Sequence, residues 1–273
     1  MSRVSPHNDR NAIKNVAYAF EFTEQLSQET VKKIIDFYKK SLALTVELPR
    51  SQPIESMTFQ MGGAGAFSPS AKMLSGVTFD RLRSDGEPIW SVTFRPDAFI
   101  VICGEYESWS KTFDKVLEYV QMFSSVLDET FINVIGLEYN DEFYVEDIQD
   151  ASWMDELFNK ETKFLSNEVY GKKGAWHMHS GHWSDEYYDE SVTNTLINTF
   201  IECSEDGQSG KHILAIKHLQ KCNFAENLKL KDTVTLDKAK VIFKKSHDVN
   251  YEFIADLIKS EMKKRIRMED FHE

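Results

Sequence analysis

The sequence predicts an α+β protein of two lobes, each an antiparallel β-sheet with helices packed on one face. Three observations predict it. Runs of alternating apolar and polar residues, the period-two mark of a half-buried strand, recur along the chain with turn chemistry between them. Other segments carry apolar residues at helical spacing. The order strand, helix, meander, helix, strand fills the first half, and its theme returns less clearly in the second, with no exact internal repeat.

The first strand is "NVAYAFEF" (15–22), with Val16, Tyr18, Phe20 and Phe22 as neighbours on one face. A helix follows over 27–43, where Ser27 is the N-cap and Val31, Ile34, Ile35, Tyr38 and Leu42 form an apolar stripe. Strands are expected at 55–61, 73–82, 89–96 and 98–106, separated by "GGAG", "SDGEP" and "RPDA". Asp-Gly and Pro-Asp turn the chain because Gly accepts positive φ and Pro fixes φ. Connections that short join antiparallel neighbours. The clearest helix is 108–127, lined by Trp109, Phe113, Val116, Leu117, Val120 and Leu127, and the strand "FINVIGLEYNDEFYV" (131–145) returns after it. Two helices over one face of an antiparallel sheet make a common α+β arrangement.

In the second half a helix is expected over 151–167 and strands over 174–184, 192–204 and 211–222, the last two joined by the turn "EDGQSG" (205–210). Helices over 235–245 and 248–266 close the chain. The lobes are residues 1–148 and 149–273, or one continuous domain spanning both, with the boundary placed near 146–152.

With 273 residues, 41% of them hydrophobic, the chain can bury one large core or two small ones. The net charge of −12 argues against general binding to nucleic acid, which needs a concentrated positive field. The one basic stretch, "KSEMKKRIRMED", reads as a solvated face near a helix C-terminus, where the macrodipole favours positive charge. No apolar run approaches the ~20 residues of a membrane helix. The first residues lack the apolar core of a signal peptide. The three cysteines, Cys103, Cys203 and Cys222, form no CxxC pair and fit free thiols in a reducing cytoplasm.

The run from "WSVTFRPDAFIVICGEYESWSKTFDKVLEYVQMF" through "INVIGLEYND" resembles a sporadically distributed family of uncharacterised bacterial proteins of about this length. The likeness rests on Tyr106, Trp109 and Phe113 around a helix start. It rests also on Ile135, Gly136, Leu137, Glu138, Tyr139 and Asn140, set against a family pattern Ile-Gly-Leu-Arg-Tyr-x-Asn, and on His247 before "DVNYEFIADLI". It covers much of 15–145 and, more loosely, the C-terminal helices. Glu138 reverses the charge of the family's arginine, and "IKHLQK" (216–221) stands where the family carries an acidic strand. The resemblance implies a cytoplasmic prokaryotic protein with no established activity. Its sporadic distribution implies mobile or phage-defence gene clusters.

The stretch "AWHMHSGHWSD" (175–185) carries the sharpest chemistry. In a strand His177 and His179 share a face. A bend at Gly181 could bring in His182, and Asp185 or Glu186 could complete a zinc or iron site. The helical His-Glu-x-x-His pattern is absent, so the leading expectation is strand histidines that face solvent or a partner. "GGAGAF" (62–67) lacks the Gly-Lys-Ser/Thr of a phosphate loop and reads as a plain loop. Cys203 and Cys222, with His212 and His218 between them, would need contact to act as a nucleophilic pair.

Three functions are expected in this order. The first is a non-enzymatic interaction protein with a protein partner or a second copy of itself, anchored by Trp183, Tyr187 and Tyr188 and needing no cofactor. The second is a metal-dependent hydrolase or nuclease using His177, His179 and His182 with a divalent metal. The third is a nucleotide or small-ligand sensor with a pocket between the lobes.

Overall fold

The computed structural model describes residues 3–8, 10–61, 67–184, 188–206 and 212–268, leaving aside the side chains of 57–61 and 67–71. The strands are β1 (Val4–Pro6), β2 (Ile13–Phe22), β3 (Arg50–Met61), β4 (Phe67–Leu82), β5 (Pro88–Phe94), β6 (Ala98–Cys103), β7 (Phe131–Val145), β8 (Trp176–Ser184), β9 (Val192–Glu205) and β10 (His212–Lys229). The helices are α1 (Gln28–Lys40), α2 (Leu42–Glu47), α3 (Trp109–Ser124), α4 (Trp153–Leu157), α5 (Thr233–Leu257) and α6 (Ser260–Arg265).

All these strands join one antiparallel sheet in the order β3-β4-β5-β6-β2-β7-β10-β9-β8, with β1 beside the end of β7. The sheet runs unbroken across the expected boundary near 148, because β7 pairs with β2 on one side and with β10 on the other. The order also shows a repeat that the residues conceal. Outward from the β2–β7 seam, β6, β5 and β4 on one side answer β10, β9 and β8 on the other. Each half is a strand, a helical segment, a three-strand meander and a long helix; β3 is extra.

Period two assigns the two faces. On β7, Ile135, Leu137, Tyr139, Phe143 and Val145 are buried and point to the helices. Facing them on β2 are Val16, Tyr18 and Phe20, also buried. Two buried clusters lie on this side. One gathers β2, β4, β5, β6, α1, α3 and the first half of α5. The other gathers the ends of β7, β9 and β10 with α4, the second half of α5 and α6. The opposite face carries Ala17, Ala19, Gly136, Lys217, Leu219 and Phe200. One solvated face is the usual state of an antiparallel sheet.

Three helix expectations need correction. The helix expected over 27–43 breaks at Ser41, whose hydroxyl accepts a hydrogen bond from Leu44 N at 3.4 Å and starts α2. The helix expected over 151–167 is only α4, and the helices expected at 235–245 and 248–266 are one helix, α5. One contact stops both α4 and α5: Phe158 and Ile258 form an isolated β-bridge, with Asn159 N donating to Leu257 O and Lys259 N to Leu157 O. The expected break at 246–247 does not occur because Ser246 and His247 are buried against the sheet as helical residues. The loop at 62–66 and most of the turn at 205–210 lie outside the described residues.

Gly76 on β4 marks a very close strand contact. A Cβ there would sit 2.2 Å from the backbone oxygen of Phe94 on the neighbouring strand. Neither strand can yield without loosening the ladder. Gly76→Ala is therefore expected to cost at least about 3 kcal/mol, read by urea unfolding. A cost below 0.5 kcal/mol would show that the strands part freely there.

Candidate functional site

Two groups of residues carry chemistry, one on each face of the sheet. The first is on β8, an outermost strand of the sheet. Its register with β9 runs without a bulge from Trp176↔Cys203 to Ser184↔Thr195. The strand therefore stays straight through Gly181, and parity fixes the histidines. His177 and His179 point to the open face, as their spacing predicts. His182 points to the helix-covered face, where its charge opposes protonation of His218. The two open-face imidazoles flank the ring of Phe200, with centroids at 6.0 and 6.4 Å, and His179 is hydrogen-bonded to Asn198. Lys217 Nζ lies 6.0 Å from the Phe200 ring centroid. Among the described residues no three His, Cys, Asp or Glu side chains gather as a metal site.

The expected aromatic anchors separate. Trp183 is 61% exposed on the open face. Tyr188 is only 4% exposed, so it is not a surface anchor; its hydroxyl donates to Gln220 Oε1 at 2.6 Å beneath the helices. Tyr187 lies outside the described residues, as do Asp185 and Glu186. Cys203 and Cys222 are buried, and burial pushes the Cys203 thiol up to about 12, so no thiolate nucleophile stands ready there. The Cys222 sulfur lies 3.6 Å from the Thr195 hydroxyl, not against a histidine.

The second group is a buried polar seam between the sheet and α5, and the sequence reading missed it. Tyr139 Oη and His247 Nδ1 are 2.8 Å apart, and Trp109 stacks on the His247 ring with centroids at 4.4 Å. Tyr106 and Tyr139 share a hydrogen bond and meet edge to face. One step along the helix, Asn250 Oδ1 is 3.1 Å from His218 Nδ1, and Gln220 Nε2 donates to Ser246 O at 2.7 Å. Burial lowers the pKa of His218 to about 4, so it is a neutral core imidazole at pH 7.

Asp141 belongs to the same seam and is 5% exposed. Burial alone pushes its pKa up to about 7. Its neighbour Glu142 points to the open face. There burial would raise its pKa, but hydrogen bonds from His7 and Lys14 outweigh that and hold it at about 2. Lys14 Nζ is 2.8 Å from Glu142 Oε2. Two consecutive carboxylates thus stand in opposite states because the pleat gives only one of them a cation. Period-two alternation was the signal for Asp141: it occupies the apolar register of β7, where a carboxylate is out of place. Neither a protein-family model nor a curated protein matches this chain.

Proposed function

We propose that this is a non-enzymatic interaction protein that meets a protein partner through the β8 end of its open sheet face. In keeping with the resemblance carried by Tyr106–Phe113 and Ile135–Asn140, we read it as an accessory or regulatory component of a bacterial gene cluster. The observation that supports this best is Trp183: a large aromatic, 61% exposed, on a sheet face opposite the buried clusters. His177, His179 and Phe200 lie on the same face, further along β8 and β9. Aromatic side chains concentrate binding energy at interfaces because they bury much area for little conformational entropy. A second copy of the chain, paired along the outer edge of β8, is the alternative partner.

The test is co-expression with the products of neighbouring genes, with complex formation measured by light scattering after size exclusion. Trp183→Ala is expected to weaken the complex about 30-fold, the loss of a hot spot worth about 2 kcal/mol. Equal affinity in wild type and variant would remove the β8 face from the interface. The hydrolase or nuclease alternative needs His182 carried to the other side of its strand. Stoichiometric metal in untagged protein, lost in His177→Ala, would establish it instead.

A further inference from the structure

A cavity of about 50 Å³ opens between the end of β7 and the outer half of α5. His247, Asn250, Tyr251 and Ile254 line it at one helical stripe, and Asp141, Tyr106 and Tyr139 line it from the sheet side. The Asp141 side chain makes no hydrogen bond or ion pair among the described residues, and nothing but burial acts on it. A carboxylate desolvated without a cation is costly, and proteins seldom keep one unless something completes it. The rest of the wall is Asn11, whose amide nitrogen donates to Tyr106 O, and the apolar Ala12, Ile13, Ile254, Ile266 and Met268.

These features choose among cations. A divalent metal needs several oxygen or nitrogen ligands, and no cluster of three His, Cys, Asp or Glu side chains exists among the described residues. A small organic cation needs one carboxylate, an aromatic face and an apolar wall, and all three are here. The volume holds about four non-hydrogen atoms, at roughly 10–15 Å³ for each water-sized group, so a nitrogen and three carbons fill it and a fourth carbon lies at its open mouth. We propose that this cavity binds a short primary alkylammonium, its NH₃⁺ group held by the Asp141 carboxylate and its chain lying on Ile254, Ile266 and Met268. The proposal is independent of the β8 interface.

The experiment is thermal unfolding of the full chain at pH 8 with n-butylammonium, tetramethylammonium or sodium at equal ionic strength. Butylammonium at 100 times its Kd is expected to raise Tm by about 5 °C. Tetramethylammonium, which has no N–H, and sodium leave it unchanged. Nα-acetyl-lysine amide separates the two sources of such a group: a shift equal to that of butylammonium assigns the site to lysine side chains, and a smaller one to free amines. Asp141→Asn, which keeps the shape of the side chain, abolishes the shift. As a check on the wild-type chain, the Kd from calorimetry rises at least about tenfold between pH 8 and pH 5 as the carboxylate gains its proton. The other titratable groups facing the cavity are Tyr106, Tyr139, Tyr251 and His247. Of these, protonation of the imidazole would act in the same direction, so the Asp141 variant decides between them. No shift with butylammonium, an equal shift with tetramethylammonium, or a shift kept by Asp141→Asn overturns the proposal.

Discussion

Replacing Asp141 with Asn is expected to raise the free energy of unfolding at pH 8 by about 2–4 kcal/mol, with the gain fading to nothing near pH 3.5. The folded-state pKa of Asp141 is about 7, above the ordinary carboxylate range. Between about pH 4 and 7 the folded chain therefore holds a proton that the unfolded chain has released. The penalty is absent below that window, grows through it and is complete above it. His218 acts in the opposite sense. Its folded pKa is lowered to about 4, so on acidification from about 6.5 the unfolded chain takes up a proton that the folded chain refuses. Stability tied to His218 is thus present above about pH 6.5 and lost towards pH 4. In the wild type the two slopes oppose each other and nearly cancel between pH 4.5 and 6.5. Asp141→Asn leaves the His218 slope uncovered, and stability then rises across that interval. Urea titrations at pH 4.5, 5.5, 6.5 and 8 read both effects. Parallel pH curves for wild type and variant would show that Asp141 is not buried as an unpaired acid.

Phe243→Ala is expected to cost about 3–5 kcal/mol and to lower a single unfolding transition. Phe243 sits on α5, 1% exposed, with its ring centroid 5.4 Å from Tyr18, 5.5 Å from Phe20 and 5.7 Å from Phe113. A residue from the last long helix therefore completes the core of the first half. Trp153→Ala in the other cluster removes a side chain 1% exposed and is expected to cost a similar amount. Because the β2–β7 and β7–β10 ladders bind the halves into one sheet, both variants should shift the same transition. Two separated steps in calorimetry of either variant would show that the clusters melt apart.

What could be seen in the sequence was whatever depends on short-range period. The strand at 131–145 falls where β7 does, and the turns at "SDGEP" and "RPDA" place β4, β5 and β6 to within a few residues. What escaped depends on distant contacts. The fate of 151–167 turns on the bridge between Phe158 and Ile258, a hundred residues apart. The break expected between 245 and 248 fell on Ser246 and His247, because only the contact with Tyr139 on a distant strand explains why His247 is buried in mid-helix. The histidines of "WHMHSGHW" divided as straight-strand parity requires; the bend imagined at Gly181 is what would have joined them. Tyr188 could not be told from Trp183 by composition, since its buried hydroxyl partner, Gln220, comes from the distant strand β10.

The position of β7 has a consequence for synthesis. Its first partner, β2, has already emerged when β7 is made, but the other edge must wait for β10, the ~70 residues from 145 to 212 later. At roughly 5–20 residues per second, that edge stays unpaired on the ribosome for some 4–14 seconds. Over the same interval Tyr18, Phe20 and Phe113 lack the ring of Phe243. A nascent chain stalled in this stage offers both an open ladder and bare aromatic rings, the combination a holdase captures and an inclusion body grows from.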